Sequence, residues 1–263
     1  MGNEYRANRY SRQILIPEIG ERGQERLGKS SVLIAGCGGL GTVLANSMVR
    51  AGVGNVRIVD RDFVELDNLP RQVLFDEEDM KKRTPKAVAA SDKLRLINSE
   101  ISIEPVVARL TSDNIESLMK DVDLVLDGTD NFETRFLINE ASIKLGIPWI
   151  YAGVVSTVGM SFSIIPGSTP CFKCFIDKVP QPGTTPTNAT AGVLGMAVNI
   201  TASIEATEAI KVLIGDYDSL IKKLVYFDVW YGTWKLIDLK KGSNPCSVCD
   251  ERRFDFLGHG IDS

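Results

Sequence analysis

The chain has 263 residues, 44% of them hydrophobic, and a formal net charge of −4. That length suits one large domain, with an embellishment at most, around a sizeable core, and the acidic balance argues against a nucleic-acid-binding surface. No apolar run reaches the roughly eighteen residues of a membrane span, and the charged N-terminus lacks a signal-peptide core. The single histidine, His259, stands near the C-terminus. This removes Ser-His-Asp chemistry, histidine-ligated catalytic metals and most histidine acid–base mechanisms.

Residues 4–28 carry Arg6, Arg9, Arg12, Arg22 and Arg26 among scattered apolar positions and read as helix, short extended piece, helix. A buried strand follows over 31–35, then a glycine-rich turn over 36–41 and a helix over 42–51, stopped by Gly52 and Gly54. A second strand over 56–60 completes a strand–glycine loop–helix–strand unit, the opening of a doubly wound parallel sheet. Further on, the pattern predicts helices over 85–97, 112–119 and 132–145, and strands over 101–107, 123–127 and 149–152. After Gly153 the character changes. Strands are expected over 158–165, 224–229 and 233–239, with a Pro/Gly/Thr-rich loop over 177–188 and a long helix over 191–214. The predicted fold class is α/β: a Rossmann-like doubly wound, mainly parallel sheet continued by antiparallel strands.

Gly36, Gly38, Gly39 and Gly41 stand where side chains would block phosphates from a helix N-terminus. Asp60 ends the following strand, where a carboxylate commonly takes ribose hydroxyls; a solvated strand end is the plainer alternative. The loop by itself does not choose the nucleotide. An NAD(P)-dependent oxidoreductase shares these features, but it also needs a hydride-transfer site, for which this chain offers no suitable histidine.

Two Cys-x-x-Cys pairs, Cys171/Cys174 and Cys246/Cys249, each follow a proline in turn-forming sequence. Four thiolates make a closed tetrahedral shell, which suits a structural Zn2+ site; two redox dithiols, two disulfides or chance are the alternatives. A closed shell has no position for water, so such a metal staples the chain and does not catalyse. The thiol usage fits a reducing, cytoplasmic setting.

The stretch 60–72 is dense in polar groups just past a parallel strand, where ligands bind in such sheets. Here the chain resembles the MoeB/ThiF/HesA family, bacterial relatives of ubiquitin-activating enzymes. The resemblance runs through Arg9-Tyr10-Ser11-Arg12-Gln13, Gly36-Cys37-Gly38-Gly39-Leu40-Gly41, Asp60-Arg61-Asp62, Asn68-Leu69-Pro70-Arg71-Gln72, Thr84-Pro85-Lys86, Asp127-Gly128-Thr129-Asp130-Asn131 and both cysteine pairs. It implies ATP-dependent adenylation of the C-terminal Gly-Gly carboxylate of a small ubiquitin-like sulfur-carrier protein of the molybdopterin or thiamine type. The acyl-adenylate then serves thiocarboxylate formation.

By the same resemblance, Arg71 and Lys86 contact phosphate, Asp130 holds Mg2+, and Arg12 reaches the triphosphate from the partner subunit of a homodimer. Asp62, Asp67, Asn68, Gln72 and Asn131 fall in the nucleotide-binding set. Ordinary surface ion pairing is the alternative for the three cations, and Lys81 and Lys82 read as solvated. The expected organisation is an N-terminal arm over 1–28, a nucleotide-binding part over 29–155 and a carrier-binding, zinc-containing part of the same domain over 156–263.

Some family members carry a cysteine in the crossover loop, near Asn188 here, but this loop has none. Adenylation without a covalent cysteine step is therefore expected, with a separate protein as sulfur donor. The unpaired Cys37 is either a small core residue or a thiol acidified at a helix start. The loop 183–187 either embraces the partner's tail or is a plain surface loop. Activation of another carboxylate, on a peptide or a tRNA-linked group, and an inert interaction module remain the rival readings.

Overall fold

The computed structural model describes residues 9–181, 183–240 and 244–258. Arg6 and His259 lie outside the described residues. The chain enters through α1 (Ser11–Ile14) and α2 (Gly20–Lys29). The piece between them is a series of turns, not an extended segment, because Ile19 N–H and Gly20 N–H both return to the Ile16 carbonyl.

Strand β1 (Ser31–Ala35) leads through the glycine loop into α3 (Gly39–Ala51), and β2 (Asn55–Val59) follows. The helix starts three residues earlier than the apolar periodicity suggests, since Gly39 and Gly41 themselves join its first turn. A single 3-10 turn at Leu66–Asn68 precedes α4 (Glu77–Lys82), α5 (Lys86–Ile97), β3 (Ser102–Val106), α6 (Ile115–Met119) and β4 (Leu124–Asp127). Next come α7 (Phe132–Leu145) and β5 (Trp149–Val155). These five strands pair in parallel in the order β3-β2-β1-β4-β5. β1 and β4 are buried on both faces, as helices covering both sides require. Val32 and Ile34 enter one core with α3, while Leu33 and Ala35 enter the other with α7.

β6 (Val158–Ile164) then runs antiparallel to β5. Only Ser156 and Thr157 separate the two strands, too little chain for a parallel crossover, and Ser156 takes a left-handed φ of 55° at the reversal. The chain continues through α8 (Phe172–Phe175), α9 (Asn188–Ala191) and α10 (Gly195–Ile214). It returns as β7 (Leu224–Asp228) and β8 (Thr233–Ile237), both antiparallel, and α11 (Asp255–Gly258) follows. The long helix begins later than expected because α9 ends at Gly192, φ 73°, and Val193 bridges to Ser156. Within this eight-stranded sheet α10 packs against α3 and against strands β4, β5 and β6. That placement lets it support the nucleotide side from beneath.

Candidate functional site

The carboxyl ends of β1, β2 and β4 meet where the sheet order changes direction, the usual ligand crevice of an open α/β sheet. Close backbone approach builds its floor. Gly36 N–H donates to the Val59 carbonyl and Gly128 N–H to the Ala35 carbonyl, both at 2.8 Å. A Cβ on Gly41 would sit 2.0 Å from the Gly36 carbonyl oxygen, and one on Gly128 would sit 2.3 Å from it. Gly41→Ala is therefore expected to destabilise the protein by about 1–3 kcal/mol through overpacking. A denaturation midpoint equal to that of the unmodified protein would show that the loops are not held this close.

Gly38, the N-cap of α3, differs from its neighbours. It has no side-chain cap, and a Cβ there would approach only the Gln72 amide nitrogen, at 3.9 Å. The first N–H groups of α3 thus have no capping side chain, the arrangement that receives anions at helix starts. The Gln72 side chain is buried, and its Oε1 has no hydrogen-bond partner among the described residues. A buried acceptor without a donor beside an open glycine fits a site completed by a ligand.

Asp60 spans two loops. Its Oδ2 accepts from Cys37 N–H at 2.6 Å and its Oδ1 from Asp62 N–H at 2.7 Å. Burial raises its pKa, and the two backbone donors oppose the rise. Cys37 is fully buried in the α3-side core, and burial pushes its thiol upward, with the Asp60 charge adding to the rise. Of the two readings for this thiol, the small hydrophobe is the one the structure bears out.

Lys86 opens α5 with its N–H donated to the Asp62 carbonyl at 2.8 Å, and a bridge from Phe63 to Pro85 holds the same two segments together. The lysine is buried, and its Nζ lies 3.7 Å from Asp62 Oδ2. Arg71 is half-buried and donates from Nη1 to the Asp67 carbonyl at 2.5 Å. Asn68 is buried in its own 3-10 turn, where Nδ2 donates to Asp67 Oδ1 and Oδ1 accepts from Glu65 N–H. Gly39 and Gly195 both approach the Pro70–Arg71 backbone, so the 66–72 segment is wedged between the starts of α3 and α10.

On the β4 side, Asp130 is exposed at the mouth of the crevice. Asn131 is the N-cap of α7, its Oδ1 accepting from Thr134 N–H at 2.9 Å. Behind them lies a buried network that the sequence motifs do not announce. Asp127 Oδ1 accepts from Thr129 N–H and Oγ1, and Oδ2 accepts from Arg135 Nε at 3.0 Å. Arg135 also donates to the Thr129 and Ala152 carbonyls. Burial raises the Asp127 pKa, and the Arg135 charge is the largest opposing influence.

Arg12 is not part of this arrangement within the chain. Its neighbour Gln13 donates to the Ala51 carbonyl, at the C-terminal end of α3. The helix places that end about 18 Å from the glycine loop at 1.5 Å per residue.

The two cysteine pairs converge at the opposite side of the sheet. Cys171 Sγ lies 3.8 Å from Cys174 Sγ and 3.7 Å from Cys246 Sγ, and Cys174 Sγ lies 3.6 Å from Cys249 Sγ. None of the cysteines is disulfide-bonded. A tetrahedron of sulfurs about 2.3 Å from a central metal has edges of about 3.8 Å. The four thiols are positioned to bind a metal ion. A hydrogen bond from Cys171 holds the Cys174 thiol below its ordinary range, and burial opposes this.

The ThiF family model matches residues 10–248. A sulfur carrier protein ThiS adenylyltransferase of Bacillus subtilis is 41% identical over 254 residues, covering 95% of this chain and 74% of that protein. A SAMP-activating enzyme E1 of Haloferax volcanii is 37% identical, covering 95% of this chain and 91% of its own. Among solved structures, E. coli MccB with ATP superposes with a TM-score of 0.77 at 26% identity, covering 94% of this chain and 76% of that one.

Proposed function

Because the chain belongs to the ThiF family, we propose that it adenylates the C-terminal Gly-Gly carboxylate of a small ubiquitin-like sulfur-carrier protein at the expense of ATP. The observation that supports this reading is the helix start at Gly38 without a side-chain cap, beside the buried Gln72 whose Oε1 has no partner among the described residues. A carboxylate oxygen attacks the α-phosphorus, the bond to the β-phosphate oxygen breaks, and pyrophosphate leaves with the electron pair. The nucleophile is already an anion, so no general base is needed. A chain whose one histidine is His259 can run this reaction.

What the protein must supply is positive charge and orientation. The α3 N–H groups and Arg71 are suited to phosphate oxygens, and Lys86 to charge developing on the leaving pyrophosphate. Asp130 would hold a magnesium ion, which supplies charge neutralisation between phosphates when bound. Asp60 and Asp62 stand at the ribose end, and Asp67, Asn68 and Gln72 shape the wall toward the incoming carboxylate, with Asn131 fixing the start of α7. Arg12, remote from its own loop, would serve a second copy across a homodimer. The four cysteines would hold a structural Zn2+, and their reduced state suits a cytoplasmic setting.

The part over 156–263 would receive the carrier. Trp230, Tyr231, Trp234 and Leu236 are exposed on or beside β8, the edge strand of the antiparallel extension. The 1–28 arm would lie at the dimer contact, and a separate protein would donate sulfur. The test is ATP–pyrophosphate exchange against candidate carriers with and without the Gly-Gly end. Exchange that depends on this end is expected. Failure with every carrier, despite ATP binding, would shift the substrate to another carboxylate.

A further inference from the structure

Helix α10 carries a charged residue in its buried stripe. Val198, Thr201, Ala202, Glu205, Ala206, Glu208, Ala209 and Val212 are all buried, and Glu205 has no exposed surface. Glu208 is satisfied by Lys211 at 2.6 Å and by Ile221 N–H at 2.8 Å. Glu205 is not. Its Oε1 accepts from Asp127 N–H at 2.7 Å, while Oε2 has no partner among the described residues. Ser161 on β6 is the facing residue: Gly159 meets Thr201 and Ser163 Oγ bonds Glu208, so the alternation puts Ser161 opposite Glu205. Ser161 Oγ also lacks a partner among the described residues.

Asp127 is the hub that shapes the turn leading to Asp130, through Thr129 and Arg135. Its own N–H, at the end of the β4–β5 ladder where Leu126 pairs with Ile150, also donates to the Glu205 carboxylate. We propose that Glu205 is a positioning residue: through the Asp127 backbone it fixes the turn that presents Asp130 to the nucleotide's metal. The inference rests on the role given above to Asp130. The carboxyl works here as a neutral acid. Burial raises its pKa well above the ordinary range, the Asp127 charge adds to this, and the Asp127 N–H and the Arg135 charge oppose it. Its Oε2 has no donor among the described residues, and an ionised carboxylate buried here would need one. The titratable and charged groups around it are Asp127 on β4, Arg135 on α7, Tyr151 on β5, and Glu208 with Lys211 on its own helix.

The test compares Glu205→Gln and Glu205→Leu with Val212→Ala, a core change on the same helix. Calorimetry would read ATP affinity with and without Mg2+. Glu205→Leu is expected to lose about tenfold in the Mg2+-dependent part of that affinity, the effect of one buried hydrogen-bond partner removed. Glu205→Gln is expected to stay within about twofold, since an amide keeps both the acceptor and a donor. Val212→Ala should lower the melting temperature only. Equal Mg2+ responses in Glu205→Leu and Val212→Ala would overturn the proposal. Asp130→Asn separates the two readings: if it binds ATP with an unchanged Mg2+ response, the role of Asp130 is what fails.

Should the leucine variant not fold, melting temperature against pH decides. A carboxyl with a raised folded-state pKa contributes its full stability below the ordinary carboxylate range. That contribution is lost as pH rises toward the folded value. Glu205→Gln should therefore match the unmodified protein below the ordinary carboxylate range and melt increasingly above it as pH rises. A glutamine variant that melts lower at alkaline pH would mean an ionised Glu205 paired with Arg135, and would also overturn the proposal.

Discussion

Lys86→Met is expected to abolish most carrier-dependent pyrophosphate exchange, by about 10²–10³-fold, the usual effect of removing one preorganised group that stabilises transition-state charge. The same variant is expected to melt no lower than the unmodified protein. Three features make this lysine unfavourable for folding. It is buried. It opens α5, where the helix dipole disfavours a cation. Its nearest carboxylate, Asp62, is exposed and 3.7 Å away, beyond a normal hydrogen bond. A thioether of similar length removes the buried charge and keeps the packing. Lys93 shows what a lysine placed for structure looks like, with Asp76 2.7 Å from its ammonium and Asp79 bonded to it as well. Lys81→Ala, at an exposed i,i+4 pair with Glu77, is the control and should change neither readout. A large fall in melting temperature with normal exchange would make Lys86–Asp62 a structural pair and remove Lys86 from the reaction.

How much of this was legible in the sequence depends on whether the signal was local. The glycine loop is local: Gly36 and Gly41 are fixed by a backbone contact between residues five apart, so their spacing carries the geometry. The strands β1 to β8 were legible for the same reason, their apolar runs bounded by turn residues. The helix α4 was missed, although Asp76 and Asp79 form a reciprocal capping box at its start, because only Met80 among its six residues packs on the core and one apolar position carries no periodicity. The turns between α1 and α2 were misread as extended, since scattered apolar residues there serve no regular face.

At the site, the polar residues of 60–72 and 127–131 were legible as a set, but what each one touches was not. Asn68 and Asn131 both spend side-chain oxygens on local capping, which residue type alone does not reveal. Arg135 and Glu205 were missed entirely. Their partners lie 8 and 78 positions away on Asp127. The one available clue was a glutamate at helical spacing inside an apolar stripe, where an unpaired charge would be costly.

Stripping the metal from the four-cysteine cluster is expected to lower the melting temperature by about 10 °C while leaving ATP affinity, measured well below the transition, within about threefold. A cross-link closing a loop as long as the one from Cys174 to Cys246 contributes about 4 kcal/mol by restricting the unfolded chain. In a domain of this size each kilocalorie corresponds to about 2–4 °C. Metal–thiolate bonds make the native lobe at least as hard to open. Other contacts hold the same lobe. Asn139 Oδ1 accepts from Phe172 N–H at 2.8 Å, and Glu140 accepts from the N–H groups of Asp255, Phe256 and Leu257. Both anchors lie on α7, whose first turn adjoins Asp130. Loosening the lobe would reach the nucleotide only if α7 moved as a whole. Arg135 opposes that motion by tying the helix start to Asp127, Thr129 and Ala152 independently of the cysteines. The check is metal content by mass spectrometry, with one zinc per chain expected, then melting and ATP titration before and after chelation, with Cys246→Ser as the genetic counterpart. Amide exchange should rise over 244–258 and stay low over 127–135. An unchanged melting temperature would show that the thiols are not a staple. A collapse of ATP affinity would show that α7 transmits the loss and that the two sites are one cooperative unit.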